Sequence, residues 1–228
     1  MKALGLCILA VLSLSACATG VNNSVVLNTP NKVVTQYPVE TAILNVYTRA
    51  YSDQLYTLVD EQLVVIHTKV TPKGAMVFNN KQVQGAEMVA ITAVNDQVVD
   101  KSVGINYFTL EPLVFHGFTS DVGEYSIATQ TKPIPKIASI DDSSTYLTEE
   151  VYSDSSKHKR IKTYTQTWSL KRESNSTAWL CIESSENLLL SYDPDGTSTE
   201  CYKINAKGDV LDSNVTMNGD ETVLFNSL

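Results

Sequence analysis

The residues able to do chemistry in this chain are few and scattered. Three histidines occur in 228 residues. His67 lies on the polar side of an alternating run, His116 sits inside Leu113-Val114-Phe115-His116-Gly117-Phe118, and His158 belongs to the charged run Lys157-His158-Lys159-Arg160. A zinc site needs Cys, His or carboxylate ligands at short characteristic spacings, and none of the three has a partner so placed. The His-Glu-x-x-His and Gly-x-Ser-x-Gly patterns of metalloproteases and serine hydrolases are missing. Asp193-Pro194-Asp195-Gly196 followed by Glu200 has the look of a calcium loop, but the bidentate glutamate of an EF-hand falls six residues after its glycine, where this chain has Tyr202. A β-turn is the expectation there. Glu149 and Glu150 are adjacent on a strand-like segment, so their side chains leave opposite faces and cannot pair as the acid and base of a glycosidase. Both are expected at solvated strand edges. The inventory points away from an enzyme and calls for no cofactor or metal.

The remaining reactive residues are four cysteines, and Cys17 carries the strongest signal in the chain. Lys2 precedes an apolar stretch, Ala3 to Leu14, which is too short to span a bilayer and suits the core of an export signal. The tetrad Leu14-Ser15-Ala16-Cys17 resembles the lipobox of bacterial lipoproteins. The resemblance covers the first 17 residues and implies that the Cys17 sulfur receives a diacylglycerol and that residues 1–16 are removed. Two or more acyl chains hold a protein stably on a membrane, since each buried methylene contributes about 0.8 kcal/mol. Ala18-Thr19-Gly20 after the cysteine lacks the aspartate that retains such lipoproteins in the inner membrane, so the resemblance favours the outer membrane of the cell envelope. No later apolar run approaches the roughly 20 residues of a spanning helix, and the body is expected to be soluble and tethered, in the periplasm or at the cell surface. In that oxidising setting Cys181 and Cys201 are expected to form one structural disulfide.

Charge narrows the partners. The chain carries a net charge of −8, and loss of Lys2 with the signal takes it to −9, which gives no electrostatic reason to bind nucleic acid or anionic head groups. The expected partners are the membrane, through the anchor, and an envelope protein or a hydrophobic ligand.

The elements that would position these residues are mainly β. Ala18 to Gln36 reads as a tether that joins the fold late, with the turn Asn28-Thr29-Pro30-Asn31 inside it. The domain is expected to run from Pro38 to Leu228. Its first element is a helix: Pro38 suits a first helical position, and Val39, Ala42, Ile43, Val46 and Tyr47 recur on one face. Afterwards the period becomes two. Val64, Ile66 and Val70 face one way and His67 and Lys69 the other, while Tyr164, Trp168 and Leu170 oppose Thr163, Thr165 and Thr167. Asn79-Asn80, Asn95-Asp96, Thr71-Pro72-Lys73-Gly74 and Asn205-Ala206-Lys207-Gly208 supply turns. The expected architecture is a curved antiparallel sheet, an open β-barrel or a sandwich, with the helix packed on it and a possible two-lobe division at the polar, Pro-containing segment 131–145. At the level of fold this looks like the carriers of the lipoprotein sorting pathway, which hold acyl chains in a half-barrel.

One constellation is apolar. Phe108, Leu110, Leu113, Val114, Phe115 and Phe118 crowd a short stretch that includes Pro112 and Gly117. Read as a strand running into a greasy loop, it is a candidate patch for a partner or lip for an acyl chain, through Phe108, Leu110, Leu113, Phe115 and Phe118. Two functions follow as expectations: a non-enzymatic envelope protein that supports or binds another component, and a carrier of a hydrophobic ligand in a β-sheet cavity.

Overall fold

The computed structural model describes residues 33–186 and 196–227. Cys17 and its lipobox, most of the tether, the Leu188-Leu189-Leu190 run and all but Gly196 of the Asp193–Gly196 turn lie outside the described residues. In chain order the elements are β1 (Gln36–Tyr37), α1 (Val39–Tyr47), β2 (Tyr51–Val59), β3 (Gln62–Phe78), β4 (Lys81–Val94), β5 (Gln97–Leu110), β6 (Leu113–Ser120), β7 (Tyr125–Gln130), β8 (Ala138–Ser139), β9 (Ser143–Tyr152), β10 (Arg160–Arg172), β11 (Thr177–Ser184), β12 (Thr197–Asn205), β13 (Val210–Asn218) and β14 (Thr222–Ser227).

The architecture is mainly β with one helix on its N-terminal side, and the sheet curls until it closes. Twelve strands form an antiparallel barrel in nearly sequential order, β2 through β7, then β9 through β14 and back to β2. Turn chemistry drives this meander. Asp60-Glu61, Asn79-Asn80 and Asn95-Asp96 all adopt positive φ, the signature of two-residue hairpin turns whose twist matches that of the strands. The last two turns of this set are legible from their asparagines; Asp60-Glu61 is not.

Alternation then sorts the side chains. Tyr164, Trp168 and Leu170 on β10 and Ile66 and Val70 on β3 are buried inward, while Thr163, Thr165 and Thr167, His67 and Lys69 take the other face. The apolar stretch around Phe115 departs from its sequence reading. It is a strand, β6, joined to β5 by the tight Glu111-Pro112 turn, and not a greasy loop. Phe108 and Leu113 are core residues, Leu110 is 46% exposed beside the turn, and Phe115 and Phe118 look into the barrel. A bulge between Pro72 and Gly74 re-aims the β3–β4 hairpin, so that Phe78 stacks on Tyr107 with ring centroids 4.1 Å apart and on Tyr125 at 5.0 Å. These rings form a separate cluster with Val83.

The helix closes one end. Val39, Ala42, Ile43 and Val46 share a single core with inward residues of eight strands, among them Trp168, Leu180 and Ile204. Burial of four such side chains at about 1.5–3 kcal/mol for each large one is what holds α1, since no side chain caps its start. Pro38 is the residue before the helix, and its carbonyl accepts from Ala42; the amide of Glu40 donates to Pro135 O at 3.1 Å. The segment 131–142 therefore belongs to this end plug. Ile134 and Ala138 are buried in the same core, and β8 pairs with β1. The fold already includes Val34, whose amide donates to Asn175 O, ahead of the expected start at Pro38. The described residues form one compact unit.

Cys181 and Cys201 are joined across directly paired positions of β11 and β12. Their separation is 20 residues. In the chain-entropy account a loop of this size stabilises the fold by about 3 kcal/mol by constraining the unfolded chain, so a Cys181→Ala, Cys201→Ala double variant should unfold at lower urea, with an m-value raised by the more expanded unfolded state. Coincident midpoints for the variant and the oxidised protein would show that the bridge adds nothing.

Candidate functional site: a cavity inside the barrel

Below α1 the barrel interior is not filled. A cavity of about 260 Å³ extends from Val46 and Tyr47 of the helix to the far end, where the exposed Ser102 and the partly exposed Ser120, Glu124 and Lys162 line it. Leu55, Ile66, Val70, Met88, Phe115, Phe118 and Val215 supply apolar wall, and on the β13, β14, β2 and β3 side Leu55, Ile66 and Val215 are backed by Met217 and Phe225. The polar wall is made of tyrosines and carboxylates. Tyr47, Tyr51, Tyr146, Tyr164 and Tyr202 line it with Asp53, Glu149 and Glu200.

Each carboxylate has a structural partner. Glu200 on β12 accepts from Tyr47 Oη at 2.9 Å and from Tyr202 Oη at 2.5 Å, which ties the helix C-terminus to the barrel wall. Glu149 on β9 accepts from Tyr164 Oη at 2.6 Å and from the Ser126 hydroxyl. Asp53 on β2 accepts from Tyr51 Oη at 3.0 Å and from the Ser213 hydroxyl. The last two stitch the barrel where its ladders are short. Strands β6 and β7 share a single paired position, Thr119 with Tyr125. There Ser126 Oγ accepts from the Phe118 amide at 2.6 Å, and the Gln130 side chain spans the same gap, accepting from Phe115 N and donating to Leu113 O. Gly117 is required at this seam. Its φ is +136°, and a Cβ there would come within 2.3 Å of Ser126 O. Strands β14 and β2 share two paired positions, and Asp53 reaches past the end of β14 to Ser213 on β13.

The sequence reading of Glu149 is corrected here. It is 5% exposed and lies inside the barrel, while Glu150 is outside and ion-paired with Arg160. Alternation had assigned the two to opposite faces, but it did not say that the inner face was dry. Among the histidines, His67 is on the outer face beside Ser52, His158 is in the β9–β10 loop, and His116 is the extra residue of the bulge opposite Tyr107 and Phe108. Burial and the nearby Lys81 push the His116 pKa down, and its Nε2 has no hydrogen-bond partner. Among the described residues no three His, Cys, Asp or Glu side chains gather to hold a metal. Of the candidate patch, Phe115 and Phe118 reach the cavity and Leu110 does not. The tyrosine and carboxylate lining was missed. Its signal was present as inward parity: Tyr51 and Asp53, Tyr164 and Gln166, and Glu200 and Tyr202 each stand two apart on one strand.

Burial disfavours charge on these groups, and it pushes the pKa of both Glu149 and Glu200 up; hydrogen bonds from Ser126 and Tyr164, and from Tyr202 and Tyr47, oppose the shift without cancelling it. The phenols of Tyr47, Tyr146, Tyr164 and Tyr202 are pushed up chiefly for the same reason and stay neutral at any ordinary pH. A carboxyl with a raised native pKa binds more protons folded than unfolded. Its contribution to stability is therefore full below the unfolded value near 4.5 and is lost as pH rises from there through the raised native value. A Glu149→Gln, Glu200→Gln variant should accordingly lose less stability than the parent between pH 4.5 and 7. Urea unfolding at several pH values checks this, and parallel pH curves for parent and variant would refute it. No family model, no curated protein and no solved structure matches this chain.

Proposed function

We propose that this protein is a non-enzymatic binding protein of the cell envelope that carries a small amphipathic molecule in its barrel. The single observation that supports the reading is the cavity: it is enclosed by the sheet, closed by α1 at one end, and lined by apolar side chains with a few placed polar groups, the usual character of a ligand site. At about 260 Å³ it lies just under the roughly 300–1,000 Å³ of sites for drug-sized molecules, which suits a small ligand or the head of a longer one. The outer face of β10 supports a body bathed in water. The outward positions of β10 carry Thr163, Thr165, Thr167 and Lys171, the reverse of the apolar girdle of a membrane-spanning barrel.

In this reading Cys17 is the lipidated first residue, and the tether from it to Val33 lets the barrel work near a membrane, favoured as the outer one. Cells fed labelled palmitate should incorporate it into the parent and not into Cys17→Ser, which should leave the membrane fraction. Label retained by the variant would end the lipobox assignment.

The carrier reading is tested by native mass spectrometry of protein purified from its own envelope. A bound small molecule, recovered chemically unchanged after extraction, is expected in the parent and absent after Met88→Trp or Val215→Phe, which fill the cavity. An empty parent, or equal loading of the folded variants, would exclude the cavity as the carrier site.

A further inference from the structure

The polar middle of the cavity has a definite chemical preference, and three features set it. The first is Glu200. Both of its hydroxyl donors converge on Oε2, so Oε1 has no donor among the described residues. The side chain is desolvated by surrounding protein yet keeps exposed area, and that area belongs to the cavity wall. The second is a ring of aromatic side chains around the same carboxylate. Tyr47 packs edge to face on Tyr202 and on Phe115, with centroids 6.3 and 6.4 Å apart, and Tyr51 packs likewise on Tyr202 at 6.4 Å. The faces of such rings carry partial negative charge. The third is the balance of ionisable groups, in which a bound cation favours the ionised form of Glu200 that burial alone disfavours. Asp53, Glu124, Glu149 and Glu200 stand against Lys162 alone among the described lining residues, and Lys162 is at the far mouth.

An anionic ligand would meet carboxylates with no cation deep in the wall to offset them. A neutral apolar ligand would bury Glu200 Oε1 with no donor, which costs free energy. A cation meets both the free oxygen and the ring faces favourably. The geometry points to a small organic cation as the ligand class: an ammonium head beside Glu200, Tyr47, Tyr51 and Tyr202, with a short apolar tail along Leu55, Ile66 and Val215. This assignment rests on the cavity being the ligand site.

The test is isothermal titration of the full-length protein in a mild detergent with three probes of similar size, butyltrimethylammonium, pentan-1-ol and pentanoate. One equivalent of butyltrimethylammonium should bind about tenfold or more tighter than pentan-1-ol, a difference within the range of a desolvated cation–aromatic contact plus an ion pair, and pentanoate should bind weakest. Glu200→Gln should remove most of that preference and leave pentan-1-ol unchanged. Because Glu200 also holds Tyr47, Tyr51→Leu serves as a second variant; it should weaken the cation selectively. Equal or tighter binding of pentan-1-ol or pentanoate by the parent, or a uniform loss for all probes in Tyr51→Leu, overturns the cation assignment and leaves the carrier reading intact. No binding of any probe overturns the assignment as well. The carrier reading falls separately, on an empty envelope-purified protein or on equal loading of the cavity-filling variants.

Discussion

Interior width governs this structure. A barrel of about eight strands has an interior that side chains alone can fill, and diameter grows with strand number. This chain closes twelve strands, so its interior is wider than inward side chains can occupy. The excess must be filled or left open. The fold does both: α1 with Ile134 and Ala138 fills one end, Met217 and Phe225 back one wall toward the other, and the space between remains as the cavity. The helix is therefore a plug whose apolar face replaces side-chain volume that the strands cannot supply, which is why its stripe of Val39, Ala42, Ile43 and Val46 is buried without an N-terminal side-chain cap.

Closure of so long a meander also concentrates imperfection at seams. Where β6 meets β7 and where β14 meets β2, backbone pairing is brief, and side chains take over the hydrogen bonding. Ser126 with Glu149, Gln130, and Asp53 with Ser213 do this from the inside. Buried carboxylates are costly, and removing one partner of such a network leaves an unsatisfied group worth more than the bond itself. The polar lining is thus structural before it is functional. It brings carboxylates and phenols to the wall of the cavity inside the barrel.

The proposed function grows out of that coincidence. Glu200 is not at a seam; it anchors Tyr47 and so couples the helix plug to the wall of the cavity. A ligand held against Tyr47 and Glu200 would add to the contacts that keep α1 seated, and any molecule that binds the folded state alone raises its stability by mass action. The disulfide sits away from this chemistry, on the outer side of β11 and β12, opposite in parity to Glu200 and Tyr202.

Much of this was readable from the linear chain. Period-two alternation named the strands and their buried faces, because a one-residue slip would turn Tyr164, Trp168 and Leu170 out to water. The helical stripe, the asparagine turns and the cysteine pair were likewise local signals or simple counts. What alternation cannot say is what lies opposite an inward face. Phe108 and Leu113 became core while Phe115 and Phe118 became cavity wall because α1 fills one end of the barrel and stops short of its middle. Glu149, placed by parity on one face, became a buried group only once Ser126 and Tyr164 came to flank it from neighbouring strands. The sequence by itself determined strand, face and turn, each set by residues a few positions apart. Closure, strand number and the hollow they leave depend on pairings between residues as distant as Leu55 and Ser227, and those are decided only when the whole sheet is assembled.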